Sequence, residues 1–258
     1  MLENLDKLPG WRHMAFESVD STNALALEQA HKGDDGQLWI TANQQTNGKG
    51  RRGRPWVSKA GNLYASLLLI DPAPSEALVT LPMVIALALH KAIVSLEPKL
   101  ADDLKIKWPN DLLLDGKKLS GILLEAARLP EDRLAVVVGI GVNCLYYPQD
   151  AQFCATSLRE FGTDLPAEKL FPAIACAVRD ELRIWAKGAG FSITRKEWLA
   201  RSCGLGEQII ARFDDHEISG TFNDIDQDGF LLLMDEGHIQ HRISAADIFF
   251  GKSSKLGA

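Results

Sequence analysis

Seven consecutive residues, Gly48-Lys49-Gly50-Arg51-Arg52-Gly53-Arg54, constrain this chain more than any others, because four cations stand among three glycines. Such a segment cannot enter a core, since each buried unpaired charge would cost several kcal/mol. Three glycines also make it costly to order. It must be an exposed loop between whatever elements precede and follow it, and its natural partner is a polyanion. Arginine and lysine form charge-assisted bonds to phosphate, and glycine lets backbone N–H groups come close to a ligand. The remainder is acidic: of a formal net charge of -6, the loop supplies +4, which leaves -10 for the rest. A general attraction to nucleic acid or to an anionic membrane is excluded on that ground, and only the local cluster counts.

The loop approaches the spacing of a Walker A sequence, but Arg54 stands where the lysine belongs and Pro55 where the magnesium-binding hydroxyl belongs. Trp56, just beyond, offers an indole that can stack on a base while the cations hold phosphates. The loop alone does not distinguish a nucleotide from a single-stranded nucleic acid. A second cluster, Lys107-Trp108-Pro109-Asn110-Asp111, closes an expected strand. Lys107 there is either a fixed cation facing a carboxylate or phosphate oxygen, or an edge lysine that discourages aggregation. The third, Gly139-Ile140-Gly141-Val142-Asn143, ends a valine-rich strand. It permits close approach of a ligand read by Asn143, or else it is a bulge followed by a turn asparagine.

With 46% hydrophobic and 24% charged residues, the 258-residue chain has the makings of one or two compact domains. Ser21, Thr22 and Asn23 are N-cap types before an alanine- and leucine-rich run that stops at Gly33, which predicts a short helix. Strands are expected over 37–42 and 62–70, and one helix over 75–96, with Leu78, Leu81, Ile85 and Leu89 on a stripe. Further strands follow over 104–108, 112–114, 119–125 and 134–142, with Asp115-Gly116 as a hairpin turn. Helices are expected over 166–187 and 194–200. After Gly204 the texture changes to short strands over 208–213, 217–222, 230–234 and 239–243. The reading is an α+β protein: a mixed, mainly antiparallel sheet covered by helices over 1–204, and a small barrel-like β module over 205–258.

The longest apolar stretch, 78–89, falls short of the roughly 20 residues that span a bilayer. The first fourteen residues lack the apolar region of a secretory signal. A cytoplasmic protein without membrane contact is expected, its four cysteines kept as thiols.

In this order and spacing, the three clusters together with Asp20-Ser21-Thr22-Asn23 resemble the catalytic domain of biotin protein ligases, over about residues 20–143. The tail resembles that family's SH3-like C-terminal domain. The resemblance implies a class II synthetase-like catalytic domain that activates biotin with ATP to biotinyl-5'-AMP and releases pyrophosphate. Biotin then passes to a lysine in the biotin carboxyl carrier domain of acetyl-CoA carboxylase or a related carboxylase. Ser21, Thr22 and Gln45 match residues that hydrogen-bond the biotin ureido ring, with Asn23 beside them. Gly48, Lys49, Gly50 and Arg51 match the loop that closes over biotin and the adenylate. Arg51 and Arg52 fall near the phosphate, Arg54 supports the loop, Trp56 packs on adenine, and Asn143 lies near it. Lys107 matches a lysine on the biotin carboxylate and activated phosphate, so Lys107 and Arg51 carry the catalytic expectation. Mg2+ is implied, with its ligands unassigned. Position 49 is usually arginine in the family, and a bidentate phosphate contact is lost here if its side chain is used. The roughly twenty residues before Asp20 cannot hold a helix-turn-helix, which points to the single-function form without DNA binding. Monomer and homodimer both stay open. The rival readings are a lipoate-protein ligase or octanoyl transferase of the same fold and, from another class, a nucleic-acid-binding module.

Overall fold

A computed structural model describes residues 10–50, 53–149 and 154–250. Its larger sheet comprises β1 (Arg12–Val19), β2 (Leu38–Gln45), β3 (Leu63–Ile70), β4 (Leu104–Lys107), β5 (Asp111–Leu114), β6 (Lys117–Arg128) and β7 (Leu134–Val142). The spatial order is β1-β2-β3-β7-β6-β5-β4. Strands β1 and β2 run parallel, joined by the crossover helix α1 (Thr22–His31) that a parallel pair requires. The other neighbours are antiparallel, so the sheet is mixed and mainly antiparallel, as expected.

Helices cover both faces. On one, Ala26 and Ala30 of α1 pack on Leu38, Ile40, Leu68, Ala135 and Val137. The other carries α2 (Ser75–Leu78), α3 (Leu81–Leu96), α4 (Ala167–Trp185) and α5 (Phe191–Leu199). There Trp39, Leu67, Val136 and Val138 join Val84, Leu87, Leu170 and Ile174 in the main core. Val137 faces one layer and its neighbours the other because successive strand residues alternate. Cover on both sides is why β3 and β7 read as unbroken apolar runs. The single helix expected over 75–96 is two, separated at Val79 and Thr80. Pro82, the second residue of α3, has no N–H to give to the Leu78 carbonyl.

The second sheet holds β8 (Gln208–Arg212), β9 (Glu217–Ile225), β10 (Leu231–Met234), β11 (Gln240–Ile243) and β12 (Asp247–Phe250), in the order β11-β10-β9-β8-β12. The SH3-like barrel expected from the sequence is not closed among the described residues: β11 and β12 are the two edges of the sheet there. Both are four residues long, and the register shift at Leu232/Leu233 supplies little of the coiling that closure needs. Phe222, Ile225, Leu231 and Leu233 belong to the main core, so the module leans on the larger unit. Trp108 Nε1 donates to the Gly229 carbonyl (3.0 Å), and the Arg195 guanidinium meets Asp224 (2.6 Å) across the same seam.

His90, in α3, is buried in that core, where Nε2–H donates to the Leu104 carbonyl (3.0 Å) and Nδ1 has no partner among the described residues. Burial pushes its pKa down to about 4, against the pull of that carbonyl. An unfolded histidine titrates near 6.5, so between about pH 6.5 and pH 4 the unfolded chain binds a proton that the folded one refuses. Stability is therefore expected to fall as pH drops through this window, by about 3 kcal/mol from this residue. Burial depresses His13 too, which acts in the same direction. Urea titrations at pH 7 and 4.5 measure the loss, and His90→Gln should remove most of it.

Candidate active site

The N-terminus of α1, the C-terminal ends of β2 and β7, the start of β6 and the loop after β2 enclose a cavity of about 870 Å3, open mouth included. Ser21 caps α1 from an extended backbone conformation, its hydroxyl oxygen accepting the Ala24 N–H (3.4 Å). This sets Thr22 and Asn23 at the first turn, both buried and both in the cavity wall. Gln45, the last residue of β2, faces them. Its Oε1 accepts the Thr22 backbone N–H (2.8 Å), and its Nε2 donates to Ser58 Oγ (2.9 Å). The Ser58 hydroxyl donates in turn to the Trp56 carbonyl (2.8 Å).

The glycine loop folds back on itself. Gly50 N donates to the Arg54 carbonyl (2.7 Å), Trp56 N donates to the Gly48 carbonyl (2.9 Å), and Lys49 forms a bridge with Pro55. Lys49, Gly50, Arg54 and Trp56 line the cavity. The Arg54 guanidinium is paired with Asp247 of β12 at 2.8 Å, so the second sheet reaches the cavity rim. Trp56 lies on a floor made by Gly121 and Gly141, where a Cβ would approach the indole to 3.2 and 2.5 Å respectively. Gly48 runs beneath Gln45 and Ser58 without a side chain of its own in the wall. Arg51 and Arg52 lie outside the described residues.

Two of the expected site residues stand away from this wall. The Lys107 ammonium sits 5.8 and 5.7 Å from the ring centroids of Phe249 and Phe250, and burial lowers its pKa while Asp111 raises it. Asn143 spends its amide on the Thr156 carbonyl (3.0 Å) and its backbone N–H on Leu119 (2.9 Å), which ties down the segment 154–158. Sequence reasoning missed Lys118. Its Nζ is 2.7 Å from Asp111 Oδ2 and 5.9 Å from the Trp56 ring centroid, and both Lys118 and Asp111 line the cavity. A register shift between Leu112 and Leu113 opposes Leu112 to Ser120 and Leu113 to Lys118, and such a bulge re-aims the side chains beside it. No spacing rule reveals that in advance, although the Asp115-Gly116 turn announces the hairpin.

In a chain of net charge -6, the wall thus gathers Lys49, Arg54 and Lys118 against Asp111 and Asp247. Ser21, Thr22, Asn23 and Gln45 form a polar end, and Trp56 over the two glycines forms a flat apolar one. The arrangement suits a ligand with a polar head, an anionic middle and a planar ring.

A model of the biotin/lipoate A/B protein ligase family matches residues 15–143, and a model of the biotin protein ligase C-terminal domain matches residues 204–251. The chain belongs to this family of protein ligases. It is 40% identical over 239 residues to a biotin-(acetyl-CoA-carboxylase) ligase of Paracoccus denitrificans, across 90% of this chain and 98% of that one. The bifunctional ligase/repressor BirA of Escherichia coli is 30% identical over 92% of this chain and 73% of its own length. Among solved structures, the biotin protein ligase of Aquifex aeolicus in complex with biotin and ATP superposes with a TM-score of 0.77. It is 27% identical and covers 93% of this chain and 99% of that one.

Proposed function

We propose that the protein is an ATP-dependent biotin protein ligase, which forms biotinyl-5'-AMP and transfers the biotinyl group to a lysine of a biotin carboxyl carrier domain. The observation that carries this reading is the cavity itself, whose one lining holds hydrogen-bonding groups, cations and an indole over glycines. Biotin offers a ureido ring, a short apolar chain and a carboxylate, and ATP offers a triphosphate and a base.

In the first step a biotin carboxylate oxygen bonds to the α-phosphorus of ATP, the bond from that phosphorus to the bridging oxygen breaks, and pyrophosphate leaves. Two anions must meet, so the cations of the wall act by positioning and by electrostatic stabilisation. We assign Lys118 and Lys49 to the carboxylate and phosphate oxygens, Arg54 to holding the loop, and Trp56 to the adenine face. Ser21, Thr22, Asn23 and Gln45 take the ureido ring. In the second step the acceptor amine attacks the acyl carbon, and AMP departs with the former carboxylate oxygen. The mixed anhydride is prone to hydrolysis, so a folded-back loop over the cavity has a second use in excluding water.

Mg2+ fits as a companion of the nucleotide. The two carboxylates in the wall, Asp111 and Asp247, are each tied to a cation at 2.7 and 2.8 Å, and no group of three or more metal-ligating side chains occurs among the described residues. A magnesium ion here would take its oxygens mainly from phosphate and water, and it would offset phosphate charge.

Incubation with ATP, labelled biotin and a biotin carboxyl carrier domain should give a labelled carrier and one pyrophosphate per biotin joined. Label from lipoate in place of biotin would instead indicate the lipoate branch of the family. No helix among the described residues is long and apolar enough to cross a membrane.

A further inference from the structure

Behind the polar end of the cavity runs a chain of hydrogen bonds that leads away from it to a carboxylate outside the wall. Glu125, on β6 opposite Val137, accepts the Asn23 amide through Oε2 and Nδ2 (2.7 Å). Asn23 Oδ1 meets the Ser66 hydroxyl, and Ser66 Oγ lies 2.7 Å from Thr22 Oγ1. Thr22 Oγ1 is also 3.0 Å from Gln45 Oε1. Ser66, Thr22 and Asn23 are all buried, and Gly139 leaves the room that the Asn23 amide occupies, since a Cβ there would stand 2.9 Å from its Cγ.

Counting protons fixes how Glu125, Asn23 and Ser66 are arranged. A carboxylate only accepts, so Asn23 must turn Nδ2 toward Glu125 and Oδ1 toward Ser66. An amide oxygen only accepts as well, so the one Ser66 proton goes to Asn23. With the Ser66 proton spent, the Thr22 hydroxyl faces two acceptors, Ser66 Oγ and Gln45 Oε1, and has one proton for them. Whichever of the two takes it, the Thr22 proton is committed to the protein and its oxygen presents a lone pair to the cavity. Gln45 is oriented independently, with Oε1 on the Thr22 N–H and one Nε2 hydrogen on Ser58, which leaves its second hydrogen for a ligand. An acceptor beside a donor matches the N–H and C=O of a cyclic urea.

We infer that Glu125 and Ser66 are positioning residues for the ligand head group: the carboxylate, three hydrogen bonds removed, helps to hold Thr22 as an acceptor. This rests on the biotin reading above. Buried chains of this kind gain strength from mutual polarisation, and one reversed member disturbs all the others.

A double-mutant cycle read by calorimetric titration of biotin tests it. Asn23→Asp sets two carboxylates face to face, and is expected to weaken biotin binding by about 100-fold. Glu125→Gln alone can still offer its amide oxygen to Asn23 and should cost only about threefold. In Asn23→Asp combined with Glu125→Gln, the new amide donates to the new carboxylate, which again accepts from Ser66, so affinity should return to within about fivefold of the unaltered protein. Ser66→Ala, which breaks the chain in the middle, should weaken binding about tenfold and be indifferent to Glu125→Gln. A double variant that binds no better than Asn23→Asp, or a Ser66→Ala variant that binds as the unaltered protein does, would overturn the inference, because the chain behind Thr22 would then carry nothing to the ligand. If the unaltered protein bound no biotin, the functional reading would fail first and take this inference with it.

Discussion

Lys118→Ala is expected to slow biotin-dependent pyrophosphate release by about a thousandfold while leaving the fold intact, in line with the loss of one preorganised group from a charge-stabilising site. Its ammonium stands in the cavity wall, partly shielded from water and held by Asp111 at 2.7 Å. Field strength rises in such a setting, so a single positive charge there has more effect on a developing phosphoryl charge than it would at the surface. Measured beside it, Lys107→Ala tests the lysine to which the resemblance assigns the catalytic contact. Lys107 stands against Phe249 and Phe250. Its removal is expected to loosen β12 and reduce the rate by less than tenfold, since a cation held against two rings outside the wall serves packing more than the phosphoryl charge. Equal losses from the two variants would show that Lys107 moves into the wall when substrates bind. Stopped-time assays of pyrophosphate, with circular dichroism to confirm folding, give both answers.

Gly48→Ala should raise the biotin dissociation constant by about 100-fold or more, although only one methyl group is added. A Cβ at this position would lie 2.5 Å from Ser58 Oγ, 2.6 Å from the Trp56 carbonyl oxygen and 2.9 Å from Gln45 Nε2. Those are the three groups that pass the hydrogen bond from Gln45 to Ser58 to Trp56. The Trp56 carbonyl is backbone and cannot rotate aside, because Trp56 N is itself bonded to the Gly48 carbonyl. The methyl therefore has to push Ser58 and Gln45 away, which frees the amide that orients the head group. Calorimetry with biotin alone isolates this from any effect on ATP. Unchanged affinity would mean that the loop and β2 separate without cost.

The sequence displays what is local and hides what depends on register. Ser21 caps a helix because its hydroxyl is the right length, and Asp115-Gly116 turns a chain because both residues take positive φ, 49° and 72°. Those were legible, as was the loop of 48–54, whose charge admits no buried alternative. The first strand was not: Arg12–Val19 shows no clean alternation of apolar and polar residues, and its exposure follows none. Strand β12 is four residues at a chain end, too short to carry a period. Within the site, Ser21, Thr22, Asn23 and Gln45 do converge, whereas Asn143 turns its amide to Thr156. Lys118 reaches the site through one bulge, and Ser66 and Glu125 through contacts with helix residues dozens of positions away, neither of which leaves a mark in a single chain.

The grip of Asp247 on Arg54 links the second sheet to the loop at the cavity rim. A tail transplanted from a relative would bring its own residue to that position, and unless it were acidic the recipient's arginine would lose its anchor. Chimeras are thus predicted to fold yet work poorly, and restoring a single aspartate at the junction should recover much of the deficit. Any programme that trades modules among these ligases has to treat this pair as one inherited unit.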